Sequence, residues 1–379
     1  MSVWDDLVGQ ESVAAELAHA ASTDQVGHAW LIVGPPGSGR SNAARAFAAA
    51  LECPDRGCGV CNDCRSTLAG SHHDVTYVNT ETVSLQVKET RELIHRAAMS
   101  PVRGRHQILV VEDADRLTEK AADALLKSVE EPADRTVWML CAPTVDDVPV
   151  TIRSRCRVVS LRTPSVHAVA TMLRDRLAVD PAVAAFAARA SQGHIGRARA
   201  LATNDVVRER RAEVLAIPAV LVDADLAHCL AAAATLVEAA SAEAAATATE
   251  VDASEKEHLR TSMGFAEEKT TSRHVRAAMR QLEENQKARA KRMQRDALDR
   301  ALLDLSAFYR DALTVGMSAG AELVNEELAR DVTRVADHLG PVGAMRCNDA
   351  ISRCRERLTG NVAPLIAMEA LMVELRTAA

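Results

Sequence analysis

HAWLIVGPPGSGRS, residues 28–41, joins an apolar run to a helical segment through a glycine-rich loop. The run AWLIV predicts a buried strand, and the alanine-rich segment after the loop predicts a helix. The loop nearly matches the phosphate-binding pattern G-x-x-x-x-G-K-[ST], whose glycines let the backbone approach a phosphate closely. An arginine replaces the lysine, which predicts phosphate binding with doubtful turnover because an arginine is a longer, planar fork. The candidate binding residues of the loop are Gly34, Gly37, Gly39, Arg40 and Ser41, the last as a possible Mg²⁺ ligand.

Short apolar runs alternate with helical segments through about the first 160 residues. The runs that read as further strands are DVTYVN, HQILVVED, RTVWMLCA and CRVVSL. Strands separated by helices of about three turns predict parallel βαβ units and a three-layer α/β sandwich. From about Pro164 the strands stop and three short helices follow. Beyond about Asp205 we expect an all-helical part with two long helices, near 231–248 and 273–315.

The composition of the 379-residue chain excludes several classes of protein. A net charge of −7 argues against a protein that mainly coats nucleic acid or anionic membrane. Aromatic residues make up 2%, too few for a base-stacking platform. We see no run of 18 or more apolar residues and no signal-peptide pattern, so we expect no transmembrane helix and a cytoplasmic location.

The strand ILVVEDAD ends in two carboxylates. A nucleotide hydrolase of this type uses one carboxylate for Mg²⁺ and one to orient the attacking water, usually Asp then Glu. Here Glu112 comes first and Asp113 second. The exchange lengthens one carboxylate arm and shortens the other, and a misplacement of about 1 Å can lower a rate on the order of a hundredfold.

Four of the nine cysteines lie in one short window, CPDRGCGVCNDC. Their spacing, C-x4-C-x2-C-x2-C, suits tetrahedral Zn²⁺ in a closed structural site. An iron–sulfur cluster is the main alternative, and a redox role is a weaker third. We expect the neighbouring His72 and His73 to be surface residues. The candidate ligands are Cys53, Cys58, Cys61 and Cys64.

Five motifs follow one another along the first half of the chain. They are LVGQ at 7–10, GPPGSGRS at 34–41, SPVRGRHQILVVEDADRLTEKAADALLKSVEEP at 100–132, TIRSRC at 151–156 and GHIGRARAL at 193–201. With these motifs in this order, roughly residues 1–205 resemble the clamp-loader branch of the AAA+ ATPases, and in particular the delta-prime subunits of bacterial DNA polymerase III. The C-terminal part is similar only in being helical.

The resemblance implies a three-part organisation. Residues 1–162 would form a RecA-like AAA+ nucleotide-binding domain, with a four-cysteine zinc module at 53–64. Residues 163–205 would form a helical lid, and residues 206–379 a helical collar for oligomerisation. The resemblance also favours zinc over an iron–sulfur cluster.

The resemblance implies roles for three further residues. Val8 would lie on the adenine side of a nucleotide, and Arg197 would be the lid arginine of the sensor 2 segment. Arg155, in the SRC motif, would act in trans on the ATP of a partner subunit. Expected partners are gamma/tau-type motor subunits and a delta subunit, with the sliding clamp and primer-template DNA reached through the assembly.

Three catalytic positions depart from the family pattern. Arg40 replaces lysine, the acidic pair is reversed, and the polar sensor 1 residue falls at Ala142 or Pro143. We therefore expect a non-motor subunit that holds ATP or ADP with Mg²⁺ weakly, if at all, and that serves a neighbour's ATP through Arg155. The alternative is an active AAA+ motor subunit of a clamp loader or a related remodeller, and a third candidate is a zinc scaffold with no nucleotide.

Overall fold

A computed structural model of the chain describes residues 2–23, 26–78, 85–262, 273–360 and 362–378. The chain divides into two compact units, Met1–Thr203 and Asn204–Ala379. The finer division of the first unit into a nucleotide-binding domain and a lid remains a prediction.

The first unit is built on a parallel sheet of five strands. Its strands are β1 (Ala29–Val33), β2 (Val75–Val78), β3 (Gln107–Val111), β4 (Thr136–Ala142) and β5 (Arg157–Ser160), in the order β2-β3-β4-β1-β5. Every described pairing between neighbours is parallel. The predicted α/β class is confirmed.

Helices cover both faces of this sheet. They are α1 (Glu11–Ser22), α2 (Arg40–Glu52), α3 (Asn62–Leu68), α4 (Val87–Ala97), α5 (Glu119–Glu130) and α6 (Val150–Arg153). Successive side chains of a strand point to opposite faces, so β1 contributes to two cores. Trp30 packs edge-on against Phe47 of α2, at 4.8 Å between ring centroids. Leu31 belongs to the other core, with Leu125 of α5.

Three short helices complete the first unit. They are α7 (Val166–Leu177), α8 (Pro181–Ala190) and α9 (Ile195–Thr203). Asp180 caps α8 by accepting the backbone N–H of Ala182 at 2.8 Å, and Pro181 occupies the first helical position. A proline is favourable there because its missing N–H would have no helical partner.

The second unit is helical throughout its longer elements, as predicted. They are α10 (Asp205–Leu221), α11 (Leu226–Ser262), α12 (Arg273–Gly316), α13 (Ala329–Thr359) and α14 (Pro364–Arg376). Helix α11 buries small residues, including Ala240 and Ala244. Nearer its end, Asp252 and Glu255 contact Arg289 of α12 at 2.5 and 2.6 Å.

One stretch of α11, Leu226–Thr249, is long and apolar enough by length and composition to cross a membrane, with a mean hydropathy of 1.3. The sequence analysis expected none. The core helix of a soluble protein passes the same test, and Cys229, Ala233 and Leu236 of this stretch pack in the core of the second unit. The stretch is therefore weak evidence for a membrane.

A buried arginine joins three parts of the second unit. Arg211 of α10 donates to Asp304 of α12 at 3.1 Å, to Glu327 at 3.0 Å and to the side-chain oxygen of Asn325 at 2.5 Å. Arg211 and Asp304 are each 5% exposed. Asn325 is held in turn by the carboxylate of Asp311, which accepts its backbone N–H at 2.7 Å.

We expect Arg211→Ala to lower the free energy of unfolding of the second unit by about 3–5 kcal/mol, because it leaves a carboxylate buried without its cation. Arg210→Ala is the matched control, since Arg210 pairs with Glu243 at 2.9 Å near the surface and such pairs contribute about 0–1 kcal/mol. Denaturant unfolding followed by circular dichroism measures the effect. All three tryptophans (Trp4, Trp30 and Trp138) lie in the first unit, so the tryptophan fluorescence transition should not move. Equal shifts for the two variants would contradict the assigned role.

Candidate functional site

The glycine-rich loop leaves β1 and enters α2, as its sequence predicts. The backbone N–H of Gly34 contacts the carbonyl oxygens of Ala142 and Pro143 at 3.3 and 3.2 Å. Gly37 and Gly39 have φ angles of +82° and +98°, which glycine adopts without the strain other residues would suffer. The loop is therefore positioned by the end of β4, and its N–H groups at the start of α2 could bind an anion.

Arg40 turns back onto its own loop. Its Nη1 donates to the carbonyl oxygen of Gly34 at 2.8 Å. A lysine in this position of a phosphate loop reaches the β- and γ-phosphates. In this chain the Arg40 guanidinium is instead bonded to Gly34, the first residue of the loop.

Helix α9 and the residue before it, His194, lie directly on the loop. The backbone N–H of Ile195 donates to the carbonyl oxygen of Gly37 at 3.1 Å. The ring of His194 lies so close that a Cβ on Gly37 would be 2.2 Å from its Cγ. Arg197, the predicted sensor 2 arginine, lies on the same helix, and its backbone N–H donates to Nδ1 of His194 at 3.2 Å. These contacts close the helical segment over the loop.

The N-terminal motif LVGQ braces the same region through a residue whose role the sequence analysis missed. Val8 is buried, but the bond-forming residue is Gln10. Its side-chain amide donates to the carbonyl oxygen of Arg162 at 2.6 Å and accepts the N–H of Arg162 at 3.2 Å. A longer contact, 3.4 Å, reaches the carbonyl oxygen of Ser38 in the loop. Because the buried amide of Gln10 both donates to and accepts from the backbone of Arg162, it fixes the position of this segment beside the loop.

The acidic end of β3 is already paired. Glu112 accepts from Arg45 of α2 at 3.0 Å. The Arg45 guanidinium also lies over the ring of Tyr77, 4.5 Å from its centroid. Asp113 follows at the start of a short 3-10 turn. The carboxylate at the first acidic position therefore carries a protein cation beside it, which competes with Mg²⁺ for its charge.

The end of β4 offers no side-chain donor at the predicted sensor 1 position. Ala142 is fully buried and Pro143 follows it. The next hydroxyl, that of Thr144, donates to Asp147 at 2.8 Å within a local turn. The strand end thus contributes backbone carbonyls to the loop but no polar side chain at Ala142 or Pro143.

The SRC triplet has a distinct task for each residue. Cys156 packs against the core beneath the sheet, and burial raises its pKa to about 12. Ser154 donates to the carbonyl oxygen of Thr151 at 3.2 Å and accepts from Nη1 of Arg155 at 3.1 Å. Arg155 is partly exposed and also ion-pairs with Glu130 of α5. Cys156 thus anchors the triplet, Ser154 orients Arg155, and Arg155 is partly exposed at the surface.

Arg155 and the loop lie at opposite edges of the sheet. In the parallel pair of β1 and β5, Trp30 is level with Arg157 and Val33 with Ser160. The loop follows the end of β1, whereas Arg155 precedes the start of β5. Three residue steps of β5, roughly 10 Å along the strand, separate Arg157 from the level of Val33, and Arg155 lies in the turn before Arg157.

The four predicted cysteine ligands come together. Their sulfur atoms all lie within 4.8 Å of one another, with Cys53 3.6 Å from Cys58 and 3.7 Å from Cys61. A tetrahedral ion with Zn–S bonds of about 2.3 Å separates its sulfurs by about 3.8 Å. The donor set therefore fits one tetrahedral metal ion. Ligands on the separate irons of a cluster would lie farther apart.

Hydrogen bonds from the backbone prepare these sulfurs for a cation. The N–H groups of Cys58, Cys61 and Cys64 donate to the preceding cysteine sulfur at 3.5, 3.4 and 3.3 Å. Donation from the backbone, first from Val60, lowers the pKa of Cys58 to about 7. Burial raises the pKa of Cys61 and of Cys64. A bound metal would therefore displace protons from the buried thiols.

The expectation that His72 is a surface residue is wrong. Its side chain is 5% exposed, and its Nδ1 accepts the backbone N–H of Asp74 at 3.2 Å. Asp74 in turn accepts the N–H groups of Val102, Arg103 and Gly104. His72 is a structural histidine beside the cysteine module, and its neighbour His73 is exposed as expected.

A cavity of about 810 Å³ lies elsewhere, between α4 and the edge strand β2. Its lining includes Lys88, Arg91 and Arg96 of α4 and Thr76 of β2. It is lined by none of the loop, SRC or cysteine residues.

Residues 9–165 match the model of a protein family described as DNA polymerase III, delta subunit. The match covers less than half of the chain and includes all five strands of the sheet. The match spans the loop, the cysteine module and the SRC motif. It does not distinguish a delta-prime subunit from others of this type.

The chain is also similar to tau and gamma/tau subunits of DNA polymerase III. The chain is 31% identical over 205 residues to the tau subunit of DNA polymerase III from Escherichia coli, covering 52% of this chain and 32% of that protein. It is 33% identical over 198 residues to the gamma/tau subunit from Mycobacterium tuberculosis, covering 50% and 34%. The chain thus spans about a third of the length of these curated relatives.

Among solved structures, a gamma subunit-related protein of DNA polymerase III from Thermotoga maritima is similar over 97% of this chain and 99% of that chain. Its sequence identity is 15% and its TM-score 0.42. A likeness of that size says nothing further about the site.

We expect one Zn²⁺ per chain, bound by the four clustered cysteines, because their sulfur spacing fits a single tetrahedral ion. Elemental analysis of the purified chain measures it. Serine at all four positions should remove the metal and expose residues 53–64 to limited proteolysis, since a closed structural site stabilises its own module. Cys156→Ser, outside the cluster, should keep the metal. A chain without zinc, or zinc retained by the four-serine variant, would rule the site out.

Proposed function

We propose that this chain is a non-motor, delta-prime-type subunit of a bacterial replicative clamp loader, which presents Arg155 to ATP bound by a neighbouring motor subunit. In that role it helps to load the sliding clamp onto primer-template DNA. The observation that carries the proposal is the position of Arg155 at the sheet edge opposite its own loop. A side chain so placed cannot reach a phosphate held by that loop, whereas it is accessible to a second subunit.

The chemistry of arginine suits this task. The guanidinium stays charged and can donate two parallel hydrogen bonds to phosphate oxygens. Charge that develops on those oxygens as the phosphate is cleaved is stabilised by a cation already in place. Arginine fingers in related phosphoryl-transfer systems accelerate hydrolysis by about 10³–10⁵.

The state of the chain's own loop supports a non-motor role. Arg40 is bonded to Gly34, Glu112 is paired with Arg45, and the sensor 1 position lacks a polar side chain. A loop of this kind can still offer backbone N–H groups to ATP or ADP with Mg²⁺, so weak binding is compatible with the proposal. Two of the three predicted catalytic positions thus have their side chains engaged elsewhere, and the third has no polar side chain.

A motor subunit is the second candidate. The similarity to tau and gamma/tau subunits at 31% and 33% identity favours it. Hydrolysis by the isolated chain separates the two candidates, because a non-motor subunit would have none of its own.

The proposed partners are gamma/tau-type motor subunits and a delta subunit, with the helical second unit as the collar that joins them. We place the assembly in the cytoplasm. The four-cysteine module would hold a structural zinc ion away from the chemistry, since a closed tetrahedral site leaves no position for substrate.

We expect the isolated chain to hydrolyse no ATP above background with Mg²⁺. Arg40→Lys should not restore turnover, because the ion pair between Arg45 and Glu112 and the apolar end of β4 remain. A steady-state phosphate-release assay measures both proteins. A rate near 1 s⁻¹, at the lower end of the usual enzyme range of about 1–10³ s⁻¹, would favour the motor subunit instead.

We expect Arg155→Ala to lower the ATPase rate of the reconstituted assembly and to slow clamp loading on primed DNA, while the chain still folds and joins its partners. The loss should be smaller than for a lone finger, because the other sites of the assembly keep their own. Arg153→Ala is the matched control: Arg153 lies two residues away and pairs with Asp146 at 2.5 Å on the surface. If the assembly with Arg155→Ala loads the clamp at the wild-type rate at saturating ATP, the trans role is refuted.

A further inference from the structure

The guanidinium of Arg155 is held by groups of its own chain. Nη1 donates to the carbonyl oxygen of Thr151 at 2.6 Å and to the hydroxyl of Ser154 at 3.1 Å. Nε is ion-paired with Oε1 of Glu130. Among the residues that the structure describes, Nη2 makes no hydrogen bond. Its two N–H groups are therefore available to an outside acceptor.

Glu130 stands where a carboxylate does not help its own helix. It is the last residue of α5, and the carboxyl end of a helix carries a partial negative charge that disfavours an anion. The Arg155 guanidinium offsets both the charge of the Glu130 carboxylate and the partial negative charge of the helix end. The need for a carboxylate here is thus explained by Arg155 and not by the formation of α5.

The ion pair is better suited to orientation than to stability. The side chains of Arg155 and Glu130 are each 39% exposed, and exposed ion pairs contribute little to folding. An arginine side chain free in solvent samples many rotamers, which must be given up when it binds. The contacts at Nη1 and Nε already restrict the rotamers of Arg155 before it binds.

We propose that Glu130 is a positioning residue that fixes Arg155 with Nη2 free for the phosphate of a partner's nucleotide. The inference rests on the trans role proposed above for Arg155. Glu130 touches no substrate itself. It acts through the arginine, as Ser154 does from the other side, so the finger is presented by α5 together with the SRC triplet.

The test compares Glu130→Ala, Glu130→Gln and Glu131→Ala in the full chain, reconstituted with gamma/tau-type motor subunits, clamp and primed DNA. Glu131 is the matched control, since it is the exposed neighbouring carboxylate. Glu130→Ala should lower kcat for ATP about two- to fivefold with KM unchanged, because a misplaced group costs on the order of a hundredfold at its own site while other sites turn over. Glu130→Gln, which keeps the shape and one acceptor, should lie between. Glu131→Ala should match wild type.

The double variant Glu130→Ala/Arg155→Ala shows whether the two residues act as one unit. Its kcat should equal that of Arg155→Ala alone, because a positioning residue has no effect once its arginine is gone. Additive losses would overturn the inference. So would a wild-type kcat for Glu130→Ala beside an impaired Arg155→Ala, and that result would leave the trans role standing. If Arg155→Ala itself is unimpaired, the proposed function fails and the inference fails with it.

Phenylglyoxal labelling of the isolated chain tests the orientation without the assembly. Peptide mass spectrometry should find Arg155 labelled faster in Glu130→Ala than in wild type or Glu131→Ala, because a released guanidinium is more accessible. Equal labelling rates in all three proteins would overturn the inference. Unchanged unfolding by tryptophan fluorescence would separate either result from a folding defect, and Glu130→Gln serves if the alanine variant unfolds.

Discussion

Parallel pairing of β1 with β4 and β5 places the glycine-rich loop and the SRC triplet at opposite edges of the sheet. Because these strands run in one direction, the loop after β1 and the ends of β3 and β4 meet at the carboxyl edge of the sheet. The SRC triplet, placed before β5, meets the amino edge. The glycine-rich loop and the SRC triplet are therefore held at opposite edges of one sheet.

The contacts of Gly37 join the glycine-rich loop to α9. The glycine leaves room for the His194 ring and gives its carbonyl oxygen to Ile195. A larger residue would collide with the His194 ring and displace α9 from the loop. The loop therefore has a packing role in addition to any binding role, and Arg40 and Glu112 both make contacts within the chain.

The sequence predicts the framework of the first unit well. The bounds of β1 agree with the run AWLIV, because a fully buried strand leaves a clear signature. Helix α4 has a weaker pattern, since it buries only three residues and its remaining positions are mostly polar. Helix α11 runs past the predicted end near Ala248, because no glycine or proline interrupts it before Ser262.

At the candidate site, sequence reasoning finds residue types but not their partners. The glycines, the four cysteines and Arg155 are visible as motifs. The pairing of Glu112 with Arg45 joins residues far apart in the chain and depends on how α2 packs over the sheet. The burial of His72 and the brace through Gln10 depend on tertiary packing in the same way. Such contacts have no local pattern from which to predict them.

Both units join segments that lie far apart in the chain. In the second unit, Arg211 bonds to Asp304 and Glu327, which lie 93 and 116 residues later. Strand β1 pairs with β4 and β5, which are synthesised more than a hundred residues later. Chains dominated by local contacts fold faster than those that must close long loops. Neither unit is dominated by local contacts, and β1 stays without its neighbours in the sheet until β4 and β5 have been synthesised.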